Sequence, residues 1–407
     1  MSSVPSLQIP PLSVYVHLPW CIRKCPYCDF NSYAIEGALP EKRYVAALDR
    51  DLQEQAGGVQ GRVVQSVFFG GGTPSLFTPA AIEEILGSIA RRLSLGAQAE
   101  ITLEANPGTV ERGRFAEYRA AGINRVSLGG QSFNDRHLSL LGRIHSASET
   151  RTAAAELHAA GLVNFNVDLM FGLPQQTVSA ALDDVAAAIA LRPQHISHYQ
   201  LTLEPGTVFY HRPPPLPHED DIWQMQVECQ ELLAASGYRQ YEVSAYARQG
   251  ARCIHNLNYW EFGDYLGVGA GAHGKLTDAD ANAIRRTAHV RPPRQYLEGI
   301  EGGNPGPERW AVPPDDVPFE FMLNALRLLD GFEVARFESR TGLSFRALQA
   351  TLVTAHCRGL IELNEVSGVC RPTEFGRRFL TDLQALFLAK PSRAVTRVGA
   401  RQVVNLM

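Results

Sequence analysis

Residues 14–32 read Val14-Tyr15-Val16-His17-Leu18-Pro19-Trp20-Cys21-Ile22-Arg23-Lys24-Cys25-Pro26-Tyr27-Cys28-Asp29-Phe30-Asn31-Ser32, an apolar run of strand length followed at once by three cysteines. The pattern Cys21-x3-Cys25-x2-Cys28 therefore sits in one loop at the C-terminal end of a predicted strand, where α/β folds place their active sites. Thiols this close together are candidate ligands of one inorganic centre. Structural zinc asks for a fourth Cys or His at familiar spacing, which the neighbourhood lacks, His17 being a poor fourth ligand. Cys25-Pro26-Tyr27-Cys28 alone also reads as a redox dithiol, although that leaves Cys21 without a role and expects a much smaller fold. Spacing favours an iron-sulfur cluster and keeps zinc and the dithiol as alternatives.

Outward from this loop, strand-length apolar runs alternate with stretches of helical period, the sign of βαβ units and a parallel sheet. The predicted strands are 14–18, 63–69, 100–105, 124–128, 165–170 and 195–201, with helices between them such as 41–55, 79–93 and 178–191. Ser146-Ala147-Ser148-Glu149 fits a capping box opening a helix that runs to Ala160, and Gly161 supplies its stop. Gly37 and Gly122 punctuate likewise. Six such units in about 200 residues predict an α/β fold, an incomplete (β/α)6 TIM-type barrel open on one side, wide enough to admit a large substrate laterally.

The run Arg212-Pro213-Pro214-Pro215-Leu216-Pro217 ends this pattern, because consecutive prolines continue neither a helix nor a central strand. The expected organisation is a barrel over 1–211, a connecting region over 212–318 and a C-terminal, mainly helical, winged-helix-like domain over 319–407. Within the connecting region, 221–236 reads as a helix, 241–246 as a strand and 265–273 as a Gly-rich segment whose backbone could approach a ligand. The tail shows helical stretches at 319–329, 333–341 and 344–358, then a short strand pair at 360–363 and 368–371. Winged helices often bind DNA, but 344–358 carries only Arg346 and Arg358 as strong cations, so nucleic acid is not expected as a partner.

Composition agrees with a soluble globular chain. Its 407 residues carry 38 basic against 42 acidic side chains, a net charge of −4, with 45% hydrophobic and 20% charged residues. That excludes disordered, collagenous and coiled-coil classes. Beyond the cluster, Cys229, Cys253, Cys357 and Cys370 are scattered, which points to a reducing compartment rather than a disulfide framework. No stretch approaches the ~20 apolar residues of a membrane span, and the first basic residue is Arg23, so the expected location is cytoplasmic.

A CxxxCxxC loop after the first strand, followed by partial-barrel βα units, resembles the radical S-adenosylmethionine superfamily over nearly the whole chain. The resemblance implies a 4Fe-4S cluster held by Cys21, Cys25 and Cys28, with one iron left open for S-adenosyl-L-methionine, and one-electron cleavage of that sulfonium to a 5′-deoxyadenosyl radical. It also implies S-adenosylmethionine contacts at strand ends. These are Gly71, Gly72 and Thr73 in Phe69-Gly70-Gly71-Gly72-Thr73-Pro74, then Glu104, Gln131, Arg143 and Asp168, with Tyr15 and Tyr27 flanking the cluster. Asp168 and Gln131 suit ribose hydroxyls and Arg143 a carboxylate, while Gln200 and residues 269–272 would border the adenine. Taken singly, each reads as a tight turn, a helix cap or a surface group.

Within the superfamily, residues 15–32 resemble the coproporphyrinogen oxidase-like branch, which holds an oxygen-independent coproporphyrinogen III dehydrogenase and a family of haem chaperones. The decarboxylating enzyme is expected to carry CxxxCxxCxC and a longer N-terminal segment; here Phe30 stands at the fourth cysteine and the cluster begins at residue 21. His255-Asn256-Leu257-Asn258-Tyr259-Trp260 matches the HNxxYW signature associated with haem binding in the chaperones. A histidine among aromatics otherwise reads as a satisfied core cluster; the six-residue match turns the reading to haem, with His255 on the iron and Asn256, Tyr259 and Trp260 beside the macrocycle. Cys253 reads as a small buried residue, and His195, His198 and His273 lack such context. The expected function is a haem chaperone that delivers haem to apo-haemoproteins of the respiratory chain, with a homodimer and transient membrane association through the client as further expectations. Two alternatives stand beside it: the coproporphyrinogen dehydrogenase, and a winged-helix regulator with an iron-sulfur sensor.

Overall fold

Alternation along the first strand sets the architecture. In β1 (Leu12–Leu18), Val14, Val16 and Leu18 pack outward into the main core with Tyr44, Leu48 and Leu52 of helix α1 (Glu41–Ala56), which leaves Ser13, Tyr15 and His17 on the opposite face. The computed structural model describes residues 5–108, 113–303, 306–364 and 366–389. Parallel neighbours follow in chain order as β2 (Val63–Gly71), β3 (Ser94–Ala105), β4 (Arg125–Gln131), β5 (Phe165–Phe171) and β6 (His195–Gln200). The crossovers carry α2 (Pro79–Arg92), α3 (Phe115–Ala120), α4 (Asp135–Leu140), α5 (Ala147–Ala159) and α6 (Val178–Ala190). Local signals start these helices. Thr78 caps α2 with Pro79 in its first turn, Thr177 caps α6, and Ser146 and Glu149 form a reciprocal capping box on α5.

Residues 212–318 extend the sheet at both ends. After α7 (Glu219–Ala235), β7 (Arg239–Gln240) and β8 (Ala245–Ala247) pair with each other, and β8 runs antiparallel to β6. The single strand expected at 241–246 is broken because the Glu242 carboxylate accepts from the Ser244 backbone N–H at 3.0 Å and from its hydroxyl at 2.9 Å, turning the chain. After α8 (Ile254–Trp260), β9 (Asp264–Val268) inserts parallel to β1 on the side away from β2. Antiparallel strands β10 (His273–Asp278), β11 (Ala283–Ala288) and β12 (Glu308–Ala311) follow, with α9 (Pro293–Glu301) between the last two. The result is one 12-stranded sheet in the order β12-β11-β10-β9-β1-β2-β3-β4-β5-β6-β8-β7, whose two edges are unpaired with each other, an incomplete barrel as predicted.

A second core rests on Phe321, Phe332, Phe337 and Phe345. It joins α10 (Val317–Ala325), α11 (Val334–Thr341) and α12 (Gln349–Cys357) to a three-stranded sheet of β13 (Phe332–Glu333), β15 (Val369–Pro372) and β14 (Ile361–Asn364), the helical, winged arrangement expected. This unit is fastened to the barrel. Phe262 meets Phe321 at 5.4 Å, Arg286 pairs with Glu320 at 2.6 Å, and Arg327 pairs with Glu242 at 2.9 Å. Among the described residues no helix is long and apolar enough to cross a membrane.

Candidate functional site

The cysteine loop leaves β1 and is fixed by groups distant in sequence. Leu18 and Trp20 carbonyls accept from the backbone N–H groups of Gly72 at 2.9 Å and Thr73 at 2.7 Å, so the exits of β1 and β2 run side by side. This close approach is what the Gly-rich run provides: a Cβ on Gly71 would sit 2.6 Å from His17 Cε1, and one on Gly72 would sit 2.5 Å from the Trp20 carbonyl oxygen. Asn31 closes the loop from the far side, donating from Nδ2 to the carbonyls of Ala270 at 2.9 Å and Arg291 at 3.0 Å. Its own carbonyl accepts from His17 Nε2 at 2.9 Å, while the Tyr15 hydroxyl donates to His17 Nδ1 at 3.0 Å. That pattern requires a neutral imidazole, and burial holds the His17 pKa down at about 4.

Cys21, Cys25 and Cys28 are all free and half-buried, and all three line one cavity that descends into the barrel. Burial raises the thiols of Cys21 and Cys28, as it does for any acid that must ionise away from water. Arg143 Nη1 stands 3.7 Å from Cys25 Sγ, a fixed cation beside a thiol. Its Nη2 donates to Gly129 O at 2.9 Å and to Asn106 Oδ1. Among the described residues no three His, Cys, Asp or Glu side chains close on a single metal ion. Three free thiols lining one cavity fit the ligand set of an iron-sulfur cluster.

Below the loop, the inward faces of the strands carry a ladder of polar groups. Glu104 ends β3 and accepts from the Gly71 backbone N–H at 3.1 Å; burial, then the charge of Asp168, pushes its carboxyl up to about 8. Gln131 ends β4 in the left-handed region at φ 64°, a cost usually tolerated where geometry is functional, and its Oε1 accepts from the Tyr199 hydroxyl at 2.7 Å. Asp168 takes hydrogen bonds from Asn166 at 2.7 Å and Ser127 at 3.3 Å, and burial raises it above the ordinary carboxylate range. His195 bonds Asn166 at 2.6 Å and Tyr241 at 2.8 Å, so it is a satisfied interior group.

The HNxxYW segment forms α8 and closes the deep end of the barrel. Glu100 on β3 caps it, accepting from the N–H groups of Ile254 at 3.1 Å and His255 at 3.0 Å and from the Cys253 thiol at 3.4 Å. His255 is 1% exposed, with Nδ1 bonded to Ser66 Oγ at 2.9 Å and Nε2 to the Tyr259 hydroxyl at 3.0 Å. Its ring stacks on Phe68 at 4.9 Å, and burial, then Arg125, drives its pKa down to about 3. Asn256 and Trp260, by contrast, line the cavity.

The structure thus brings Cys21, Cys25, Cys28, Tyr27, Gly71, Gly72, Thr73, Glu104, Gln131, Arg143, Asp168, Asn256 and Trp260 to one cavity, together with Phe30 and Gln200. Tyr15, His255 and Tyr259 lie behind its wall, engaged in the hydrogen bonds just described. The Gly269–Ala272 segment is not among the residues lining the cavity; a Cβ on Gly269 would meet the His17 carbonyl at 2.5 Å and one on Gly271 would meet the Asn31 side chain, so these glycines serve packing against β1 and the cysteine loop. Sequence reading passed over Arg125, Ser127, Asn166, Ser197 and Tyr199, which also line the cavity. Their signal was present as strict alternation in Arg125-Val126-Ser127-Leu128 and Asn166-Val167-Asp168-Leu169, polar residues facing inward between apolar ones facing the helices.

Comparison with known proteins agrees with this geometry. Residues 15–187 match the model of the Radical SAM superfamily, and residues 312–388 match the HemN C-terminal domain. Heme chaperone HemW of Escherichia coli K12 is 47% identical over 386 residues, covering 94% of this chain and 100% of that protein. Heme chaperone HemW of Haemophilus influenzae is 48% identical over 390 residues, covering 94% and 99%. The structure of coproporphyrinogen III oxidase HemN from Escherichia coli superposes with a TM-score of 0.78 at 23% identity, covering 93% of this chain and 90% of that one, which shows a shared fold. With near-complete coverage at almost half identity, and a cysteine loop, Gly-rich strand end and HNxxYW helix assembled on one partial barrel, the chain belongs to the HemW family of the Radical SAM superfamily.

Proposed function

We propose that the protein is a haem chaperone: it binds haem, holds a 4Fe-4S cluster with S-adenosylmethionine beside it, and passes haem to apo-haemoproteins of the respiratory chain. The observation that carries this reading is the 47% identity to a heme chaperone along that protein's entire length. Cys21, Cys25 and Cys28 fit the cluster by their free thiols and shared cavity, and Arg143 supplies a cation at that rim. When bound, the cluster and S-adenosylmethionine together supply one-electron chemistry at the sulfonium.

The chain's own residues have distinct tasks in this reading. Arg143 faces a carboxylate, Gly71 and Gly72 give close backbone approach, Thr73 is held by Asn106 at 2.8 Å, and Glu104 receives an ammonium. Gln131 and Asp168 address ribose hydroxyls, with Asp168 pre-oriented by Ser127 and Asn166. Tyr27 forms the wall beside Cys28, and Tyr15 acts one step back by fixing His17 and so the cysteine loop. For haem, Asn256 and Trp260 are the motif residues that face the cavity; iron ligation by His255 requires Nε2 to exchange the Tyr259 hydroxyl for metal.

The test is anaerobic reconstitution with iron and sulfide, then haem titration followed by optical spectroscopy, with carbon dioxide release from coproporphyrinogen III assayed on the same preparation. Stoichiometric haem uptake without carbon dioxide is the expected result, consistent with Phe30 in place of a fourth cysteine. Carbon dioxide release at turnover would overturn the reading in favour of the dehydrogenase.

A further inference from the structure

Arg125 opens β4 and points into the barrel, 2% exposed, at the deep end of the cavity beside α8. A buried guanidinium ordinarily meets a carboxylate through paired hydrogen bonds. Here its Nε has no hydrogen-bond partner among the described residues, and its ion pair to Glu100 Oε2 is a loose 3.8 Å. Glu100 is already committed to three donors at the start of α8. Asp168, the other acid near Arg125, accepts from Asn166 and Ser127, and no hydrogen bond between it and Arg125 is present among the described residues. Trp260 adds a second observation: its indole Nε1 is buried without a partner among the described residues, on a residue that lines the same cavity. The nearby Arg327 is not available in the same way, since it pairs with Glu242 at 2.9 Å while covering the Trp260 ring at 4.3 Å.

Two buried donors without hydrogen-bond partners among the described residues, both on side chains that line one cavity, suit an anion with acceptor oxygens. Arg143, at the cluster end, already provides a separate cation for the carboxylate of S-adenosylmethionine. We propose that Arg125 and the Trp260 indole form a carboxylate subsite at the deep end of the cavity that takes a propionate of the tetrapyrrole. The proposal rests on the haem-chaperone reading. Phe68, Met170, Tyr199 and Leu201 also line the cavity, apolar and aromatic surface among its polar groups against which a macrocycle edge can pack.

The experiment titrates reconstituted wild type, Arg125→Gln and Arg125→Lys with haem and with iron protoporphyrin IX dimethyl ester, which lacks the carboxylates. Wild type is expected to prefer haem over the diester. Arg125→Gln should weaken haem binding roughly thirtyfold or more while leaving the diester unchanged, and Arg125→Lys should restore part of the preference. Equal loss for both ligands, or no loss for either, overturns the subsite while leaving the chaperone reading in place. Wild type that binds neither ligand overturns the chaperone reading and the subsite with it. Should Arg125→Gln fail to fold or load its cluster, Trp260→Phe keeps the ring and removes only the N–H. Haem binding should then fall severalfold with the diester unaffected, and an unchanged haem affinity refutes the subsite.

Discussion

Glu104 is the group whose titration the structure makes most informative. Its carboxyl is pushed from an ordinary 4.5 up to about 8, by burial first and by the charge of Asp168 second. An acid whose pKa is raised by folding binds its proton more tightly in the native state, so stability must fall as pH rises between the two values. The penalty is absent below about pH 4.5, grows through neutrality and levels off above about pH 8. Integrating the linkage relation between those two pKa values gives a loss of about 2 kcal/mol between pH 6 and pH 8. The perturbation is Glu104→Gln, which removes the titration and keeps an oxygen to accept from the Gly71 N–H. Denaturant unfolding of cofactor-free wild type and variant across pH 5 to pH 9 supplies the difference curve, in which shared titrations cancel. The variant should gain on wild type steadily up to about pH 8 and little beyond it. Parallel stability curves would show that Glu104 ionises normally, and the account of its burial would be wrong.

Gly72→Ala places a Cβ 2.5 Å from the Trp20 carbonyl; it should cost about 2 kcal/mol and lower the iron bound per chain after reconstitution, whereas Gly57→Ala, with open space around it, should do neither. His255→Ala removes two side-chain hydrogen bonds and a ring stack from a buried site, a loss of about 2–4 kcal/mol in chemical unfolding; wild-type stability in the variant would refute the interior network around Ser66 and Tyr259. Arg143→Met should load its cluster but bind S-adenosylmethionine roughly thirtyfold more weakly in equilibrium dialysis, and an unchanged affinity would remove Arg143 from that contact.

The barrel was legible because strand-length apolar runs alternate with helical stretches, with the Ser146 capping box and glycine stops between them; the threonine caps at residues 78 and 177, which the structure adds, are signals of the same local kind. The cysteine loop was legible because its three thiols are close together in sequence. Insertion of β9 beside β1 was not, since nothing local in Asp264–Val268 names a partner some 250 residues earlier; the pairing is decided by tertiary packing. Nor could the sequence say that His255 faces Ser66 while Trp260 faces the cavity, because that depends on where Glu100 pins the first turn of α8. The alternation that exposes Arg125 is plain in hindsight. A strand buried on both faces reads as uniformly internal until one knows that one face borders a cavity rather than a core.

The clamp on the cysteine loop has a consequence for biosynthesis. Asn31 holds that loop through the carbonyls of Ala270 and Arg291, 239 and 260 residues downstream. At ribosomal rates those partners emerge roughly 12–50 seconds after the thiols they secure. During that interval Cys21, Cys25 and Cys28 belong to a nascent chain that lacks β9 and so lacks one wall of the loop. A cluster delivered early would meet a loop held only from the Gly72 and Thr73 side; one delivered after residue 291 has folded would meet the full clamp. The order of the sequence thus places completion of the proposed cluster socket late in synthesis, timed by a part of the chain that contributes none of its three thiols.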